Sequence, residues 1–330
     1  MKKNYTIVYM RVVATLLIVV YHSICFHAGI WPIFNPNKNH FFNAIAIIMN
    51  DIHLPIFVFI SGMLFYWECE KGKYIENRTF IAKKFSRLLV PYFFWGIVML
   101  LLMPTLYQPL EMLTGIGHLW FLMMLFFVFL LMIFVNSIWC KLFLQHKILI
   151  IFALFVLSRF VWNLGLNISW KKDYLTYLMV LTYIPFFLWG MTVAQFQIYN
   201  VLKEKKTWQI ALLTLLFFVI IVIDLINPPF KVLFYCVPIS LFLLSLYSVI
   251  DSKLGGKKPG SMVSSIDRNS MGIYIIHHIV IWLIIAAWGG QFLEYPYLGS
   301  LFLFVFSFFV SYIASSLLLR SKVLSFIIGG

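Results

Sequence analysis

Charge is what this chain has least of. Asp, Glu, Lys and Arg make up 11% of its 330 residues, against about a quarter in a soluble domain, while hydrophobic residues reach 63%. A water-soluble globular fold is excluded on that ground. Acidic residues are scarcer still, at 11 against 25 Lys and Arg. The four cysteines, Cys25, Cys69, Cys140 and Cys236, are too widely spaced for a disulfide framework, and no Cys-x2-Cys or His-x3-His pair offers a zinc spacing. Asp51-Ile52-His53 alone supplies too few metal ligands. Polar segments are short as well, so the expectation is a single membrane domain over residues 1–330 with no attached soluble domain.

What fills the chain instead is apolar runs of about 20 residues, the length needed to cross roughly 30 Å of hydrocarbon. The fold expected is all-α, a polytopic membrane helical bundle of about ten spans near residues 7–28, 43–66, 87–104, 117–139, 148–166, 176–197, 208–226, 232–250, 270–288 and 298–319. Lys2 and Lys3 before the first run imitate a secretory signal, but Arg11 interrupts that run and no clear small-residue cleavage site follows, so a retained helix is expected.

An even number of spans puts both termini on one side. With that side cytoplasmic, nineteen Lys and Arg fall in cytoplasmic segments, among them Lys2, Lys3, Lys73, Lys205 and Lys206. Only Lys38, Lys171, Lys172 and Lys231 fall opposite, and Arg11 and Arg159 lie in or near spans. This is the positive-inside pattern. The formal charge of +14 therefore reports orientation and contact with lipid headgroups, and nucleic acid is not an expected partner.

Two polar residues break the first run. Arg11 and His22 are eleven positions apart, so on a helix they stand about 16 Å apart along the axis and about 20° apart around it. A cation and a titratable base thus share one stripe. Burying either in hydrocarbon costs about 2.5–3.5 kcal/mol, so the pair is expected to face a protein interior or wet cavity and to be functional. Lys83, Lys84 and Arg87 cluster where the third span begins, which suits an orientation anchor or a phosphate clamp. Leu54-Pro55-Ile56-Phe57-Val58-Phe59-Ile60-Ser61-Gly62 places a proline and a Ser-Gly pair in the second span, which suits a local kink or a close helix approach.

In this order these segments resemble the bacterial acyltransferase family 3, membrane enzymes that O-acylate cell-envelope carbohydrates. Arg11 and His22 match its Arg-x10-His signature, and Lys84-Phe85-Ser86-Arg87 is similar to its Arg-x-x-Arg, with Lys replacing the first Arg. The Pro55 to Gly62 stretch, Leu119-Trp120-Phe121-Leu122 and Tyr274-Ile275-Ile276-His277 also fit. The resemblance implies transfer of an acyl group, usually acetyl from acetyl-CoA, to a sugar hydroxyl in the bacterial cytoplasmic membrane. It makes His22 the catalytic residue, as general base or as acyl carrier. Arg11, Lys83, Lys84 and Arg87 would then hold the polyanionic donor. Lys84 supplies a point charge where guanidinium would supply a planar fork, which puts donor affinity or identity in question.

Asp51, His53, His118 and His277 are candidates for an acceptor-side or supporting role, beside the ordinary alternative of helix-to-helix hydrogen bonds. Some family members carry an extra extracytoplasmic domain, whereas this chain ends soon after the tenth span, which favours direct modification of the acceptor. A transporter or flippase for a lipid-linked sugar is the main rival. Coupled transport commonly needs an intramembrane carboxylate, and only Asp51 and Asp224 approach the membrane, both near span ends. An acyltransferase acting on lipid or protein is the third reading, although the His-x4-Asp spacing of soluble-faced glycerolipid acyltransferases is absent.

Overall fold

A computed structural model describes residues 4–31, 38–72, 77–164, 175–203, 206–226, 231–292 and 294–330. Of the residues weighed above, Lys2, Lys3, Lys73, Lys171, Lys172 and Lys205 lie outside the described residues, as do the side chains of Arg159, Lys206, Asp224 and Lys231. The protein is 86% helical, with no strand among the described residues.

The helices run α1 Tyr5–Cys25, α2 His40–Glu70, α3 Asn77–Lys84, α4 Val90–Leu102, the short α5 Glu111–Thr114, α6 Trp120–Lys141 and α7 Leu144–Leu164. They continue as α8 Leu175–Phe196, the short α9 Tyr199–Lys203, α10 Lys206–Ile226, α11 Lys231–Leu254, α12 Ser261–Phe292 and α13 Pro296–Leu318. Each expected span has an apolar helix in its place. Among the described residues eight are long and apolar enough to cross a membrane, α3 and α4 together forming one and α6 extending back to Glu111. Outward-facing Leu101, Phe134 and Ile138 are 65–76% exposed, a surface that only lipid makes acceptable. This is a multi-pass membrane protein.

Local sequence starts the first two helices. Asn4 Oδ1 accepts the Thr6 backbone N–H at 3.0 Å and Asn39 Oδ1 accepts that of Phe42 at 3.2 Å, each satisfying a donor that a helix start leaves unpaired. Between α3 and α4 the chain makes one wide turn over Phe85–Leu89, in which the Val90 N–H reaches the Phe85 carbonyl. Such a π-bulge resets the helical register and is common at functional sites.

Helix α1 packs against α2, α11, α12 and α13. Of its apolar window 61% is buried, and 72% for α12, against 28% for α13, so α1 and α12 are interior and α13 is a flank. The closest crossing joins α2 to α8. A Cβ at Gly62 would stand 2.0 Å from the Phe187 carbonyl oxygen, and a Cβ at Gly190 would stand 2.1 Å from that of Phe59. Backbone meets backbone on both sides, so no side-chain motion could relieve the clash. Gly62→Leu is expected to lower the yield of monodisperse protein on size-exclusion chromatography at least tenfold; a wild-type profile would contradict this crossing.

Candidate active site

Helix α1 carries Arg11 and His22 past two separate cavities. The larger, about 250 Å³, is lined by Arg11, Lys84 and Arg87 together with Ser61, Phe129, Ser270 and Gly329. The smaller, about 100 Å³, is lined by His22, His53 and His118 with Tyr21, Asn50 and Trp120. Phe121 and Tyr274 line both. The pitch of α1 places one polar residue at each cavity.

In the larger cavity Arg11 Nη1 donates to Asp267 Oδ1 at 2.8 Å. Asp267 comes into reach because α12 begins at Ser261, well before the expected 270. The pair is part-buried, so it holds the guanidinium more firmly than a surface pair would. Lys84 Nζ lies 3.6 Å from the centre of the Phe129 ring, a cation–π contact, and Arg87 Nε donates to the Gly329 carbonyl at 3.3 Å. That bond leaves the two terminal nitrogens of Arg87 for a ligand. Lys83 is exposed and lies outside the lining, because the Phe85–Leu89 turn brings Lys84 and Arg87, three positions apart, to one cavity. Gly329 has a φ of 73°, and a Cβ there would meet the Arg87 carbonyl at 2.6 Å, so only glycine fits against this turn.

The smaller cavity belongs to a histidine cluster, and its hydrogen bonds fix the tautomers. His277 Nδ1 is 2.8 Å from the Ile273 carbonyl, which can only accept, so Nδ1 carries the proton and Nε2 is an acceptor. His22 Nδ1 is 2.8 Å from that Nε2 and therefore donates. The Nε2 of His22 is left with its lone pair, on a ring that lines the cavity. His277 thus has both ring nitrogens engaged, and it stands behind His22.

His118 follows Gly117, whose φ of 47° suits glycine in the turn Gly117–Leu119 before α6. Its Nε2–H donates to the Ile275 carbonyl at 3.0 Å, while its backbone carbonyl accepts the Tyr274 hydroxyl. His278 Nε2 accepts the Trp282 indole N–H at 3.1 Å. The Nδ1 atoms of His118 and His278 are then buried with no hydrogen-bond partner, on rings whose centres are 4.3 Å apart. Their tautomers make one an acceptor and the other a donor. Trp31 closes the cluster, stacked 6.2 Å from His22 and 4.8 Å from Trp282.

The remaining candidates separate. His53 lines the small cavity, its Nδ1–H donating to the Met49 carbonyl at 2.5 Å, and its ring lies 4.9 Å from that of Tyr21. Asp51 is half-buried, accepts from Asn50 at 3.5 Å and lines neither cavity, whereas its neighbour Asn50 does line the smaller one. Among the described residues no group of three or more His, Cys, Asp or Glu is placed to hold a metal ion.

A family model, Acyl_transf_3, described as an acyltransferase domain, matches residues 4–320. The chain belongs to this acyltransferase family. The match takes in every histidine of the cluster, the whole lining of the smaller cavity and all of the larger cavity's lining but Gly329. No curated protein and no solved structure matches the chain.

Proposed function

We propose that this membrane acyltransferase moves a short acyl group, acetyl from acetyl-CoA in the simplest case, to a hydroxyl of a bacterial cell-envelope carbohydrate. The observation that carries the reading is the His22–His277 hydrogen bond, which leaves a lone pair on His22 Nε2 at the head of a pocket beside a cation-lined cavity. His22 Nε2 removes the proton of the attacking hydroxyl. The oxygen bonds to the thioester carbonyl carbon, the carbon–sulfur bond breaks, and the leaving thiolate takes the proton back from His22, which restores the starting tautomer.

The CoA phosphates sit among Arg11, Lys84 and Arg87 on the cytoplasmic side that the Lys and Arg distribution indicates. The acceptor sits on the other side, against Tyr21 and Trp120, whose ring faces suit the C–H faces of a sugar, with Asn50 to bond its hydroxyls. The protein acts within the bacterial cytoplasmic membrane, with acyl-CoA, the carbohydrate and lipid as its partners and no metal.

A charge-assisted contact to phosphate contributes about 1.5–3 kcal/mol. Lys84→Ala and Arg87→Ala are each expected to raise the KM for acetyl-CoA about tenfold or more while changing kcat less. An unchanged KM would reduce both to membrane anchors. The reading itself is tested by feeding labelled acetate to cells with and without the protein: base-labile label in the envelope glycan that depends on the protein supports it, and equal labelling overturns it.

A further inference from the structure

Among the described residues the two cavities have separate linings that share two residues. The cations that would hold a donor line only the larger one and His22 lines only the smaller, so an acyl group has to cross between them. Phe121 and Tyr274 are the two residues common to both linings, and their rings meet edge to face, 5.8 Å between centres at 63°. Rings in that contact narrow the way between the two cavities.

The two halves of this partition differ in freedom. The Tyr274 hydroxyl is bonded to the His118 carbonyl, and its ring stands 5.4 Å from that of His118, so moving it would disturb the histidine cluster. Phe121 has no polar atom to bond. Its other ring neighbours are Phe57 at 6.2 Å and Trp120 at 6.1 Å, both apolar contacts that tolerate a change of rotamer. Beyond the partition lies the smaller cavity, about 100 Å³ against about 250 Å³ for the larger.

We infer that Phe121 is the gate through which the acyl group reaches His22 and that it sets the length of acyl chain transferred. The inference rests on the acyl-CoA reading above and adds a substrate class to it: two- and three-carbon acyl groups pass, and longer chains are refused at Phe121. Closed, the same ring keeps the thioester away from water and from His22 until an acceptor is in place.

The experiment compares purified wild type with Phe121→Ala, Phe121→Leu and Phe121→Trp, using acetyl-CoA and butyryl-CoA. Phe121→Ala is expected to raise the butyryl-to-acetyl ratio of kcat/KM at least tenfold, and Phe121→Leu to raise it less. A ratio that does not move in either variant overturns the inference. A second readout does not depend on transfer. Ile18 lines the small cavity alone, so an Ile18→Cys variant, made in a background with the four native cysteines replaced by Ser, reports access to it. In inside-out vesicles a small, membrane-impermeant thiol reagent is expected to modify that thiol at least fivefold faster when Phe121→Ala is added and more slowly with Phe121→Trp. If no acyl-CoA is turned over but these labelling rates shift as stated, the gate stands and the donor assignment falls. Labelling rates indifferent to residue 121 overturn the gate.

Discussion

His22→Ala removes acyl transfer, by about 10³-fold or more, from a protein that still purifies as a monodisperse species. The size follows from the proposed role, since Nε2 of His22 keeps a lone pair on a ring that lines the smaller cavity, and positioned acid–base catalysis alone contributes about 10²–10⁴-fold. The ring also stacks near Trp31 and touches three other imidazoles, so folding needs its own control. His22→Gln serves, because it keeps a polar side chain of similar reach without a basic nitrogen. It is expected to fold as wild type and to be as inactive as His22→Ala. Wild-type glycan acylation in either variant would remove His22 from the chemistry.

The second large effect belongs to His277. If it selects the His22 tautomer, His277→Phe lets the His22 ring protonate at the wrong nitrogen, a fault that costs about 10⁴-fold in kcat where a carboxylate plays the same part in serine proteases. A loss of about 10²–10⁴-fold in kcat is expected, with the KM for acetyl-CoA unchanged, since His277 lies outside the cavity that holds the cations. His277→Gln places an amide oxygen near the position of Nε2 and is expected to recover at least a tenth of wild-type kcat. Equal loss in the Phe and Gln variants would mean that His277 only fills space. Nitrogen-15 shifts of labelled His22 give an independent check, with Nδ1 protonated in wild type and the tautomers mixed in His277→Phe.

Much of this arrangement was legible in the sequence. Helical periodicity alone put Arg11 and His22 on one stripe, and the structure sets that stripe along two cavities. The proline and Ser-Gly pair of the second span left a kink or a close approach open, and Gly62 makes the close approach. The apolar runs matched helices because hydrocarbon thickness fixes their length.

What stayed hidden depends on long-range pairing or on a local change of register. Asp267 is 256 positions from Arg11, and nothing in its own neighbourhood marks it as a partner. His278 sits beside a noticed His277, yet only the bond to Trp282 and the stack with His118 give it a place in the cluster. Lys83 and Lys84 look equivalent as neighbours, yet about 100° of helical rotation separates them and only Lys84 faces the larger cavity. Asp51 drew attention as a rare membrane carboxylate, while the uncharged Asn50 beside it is the one that lines the small cavity. Trp31 and Trp282 carry no signal of their own in the sequence; only the structure stacks Trp31 on His22 and on Trp282 and sets both indoles edge to face with His278.

The central claim is that this chain itself carries acyl groups from a thioester to a glycan. The most direct measurement is transfer of label from acetyl-CoA to a de-acetylated envelope glycan fraction by purified protein in proteoliposomes. The account predicts base-labile label on the glycan and one free CoA thiol released per group transferred. Binding of the glycan without CoA release, or movement of glycan across the bilayer with no label gained, would contradict it and identify the protein as a carrier.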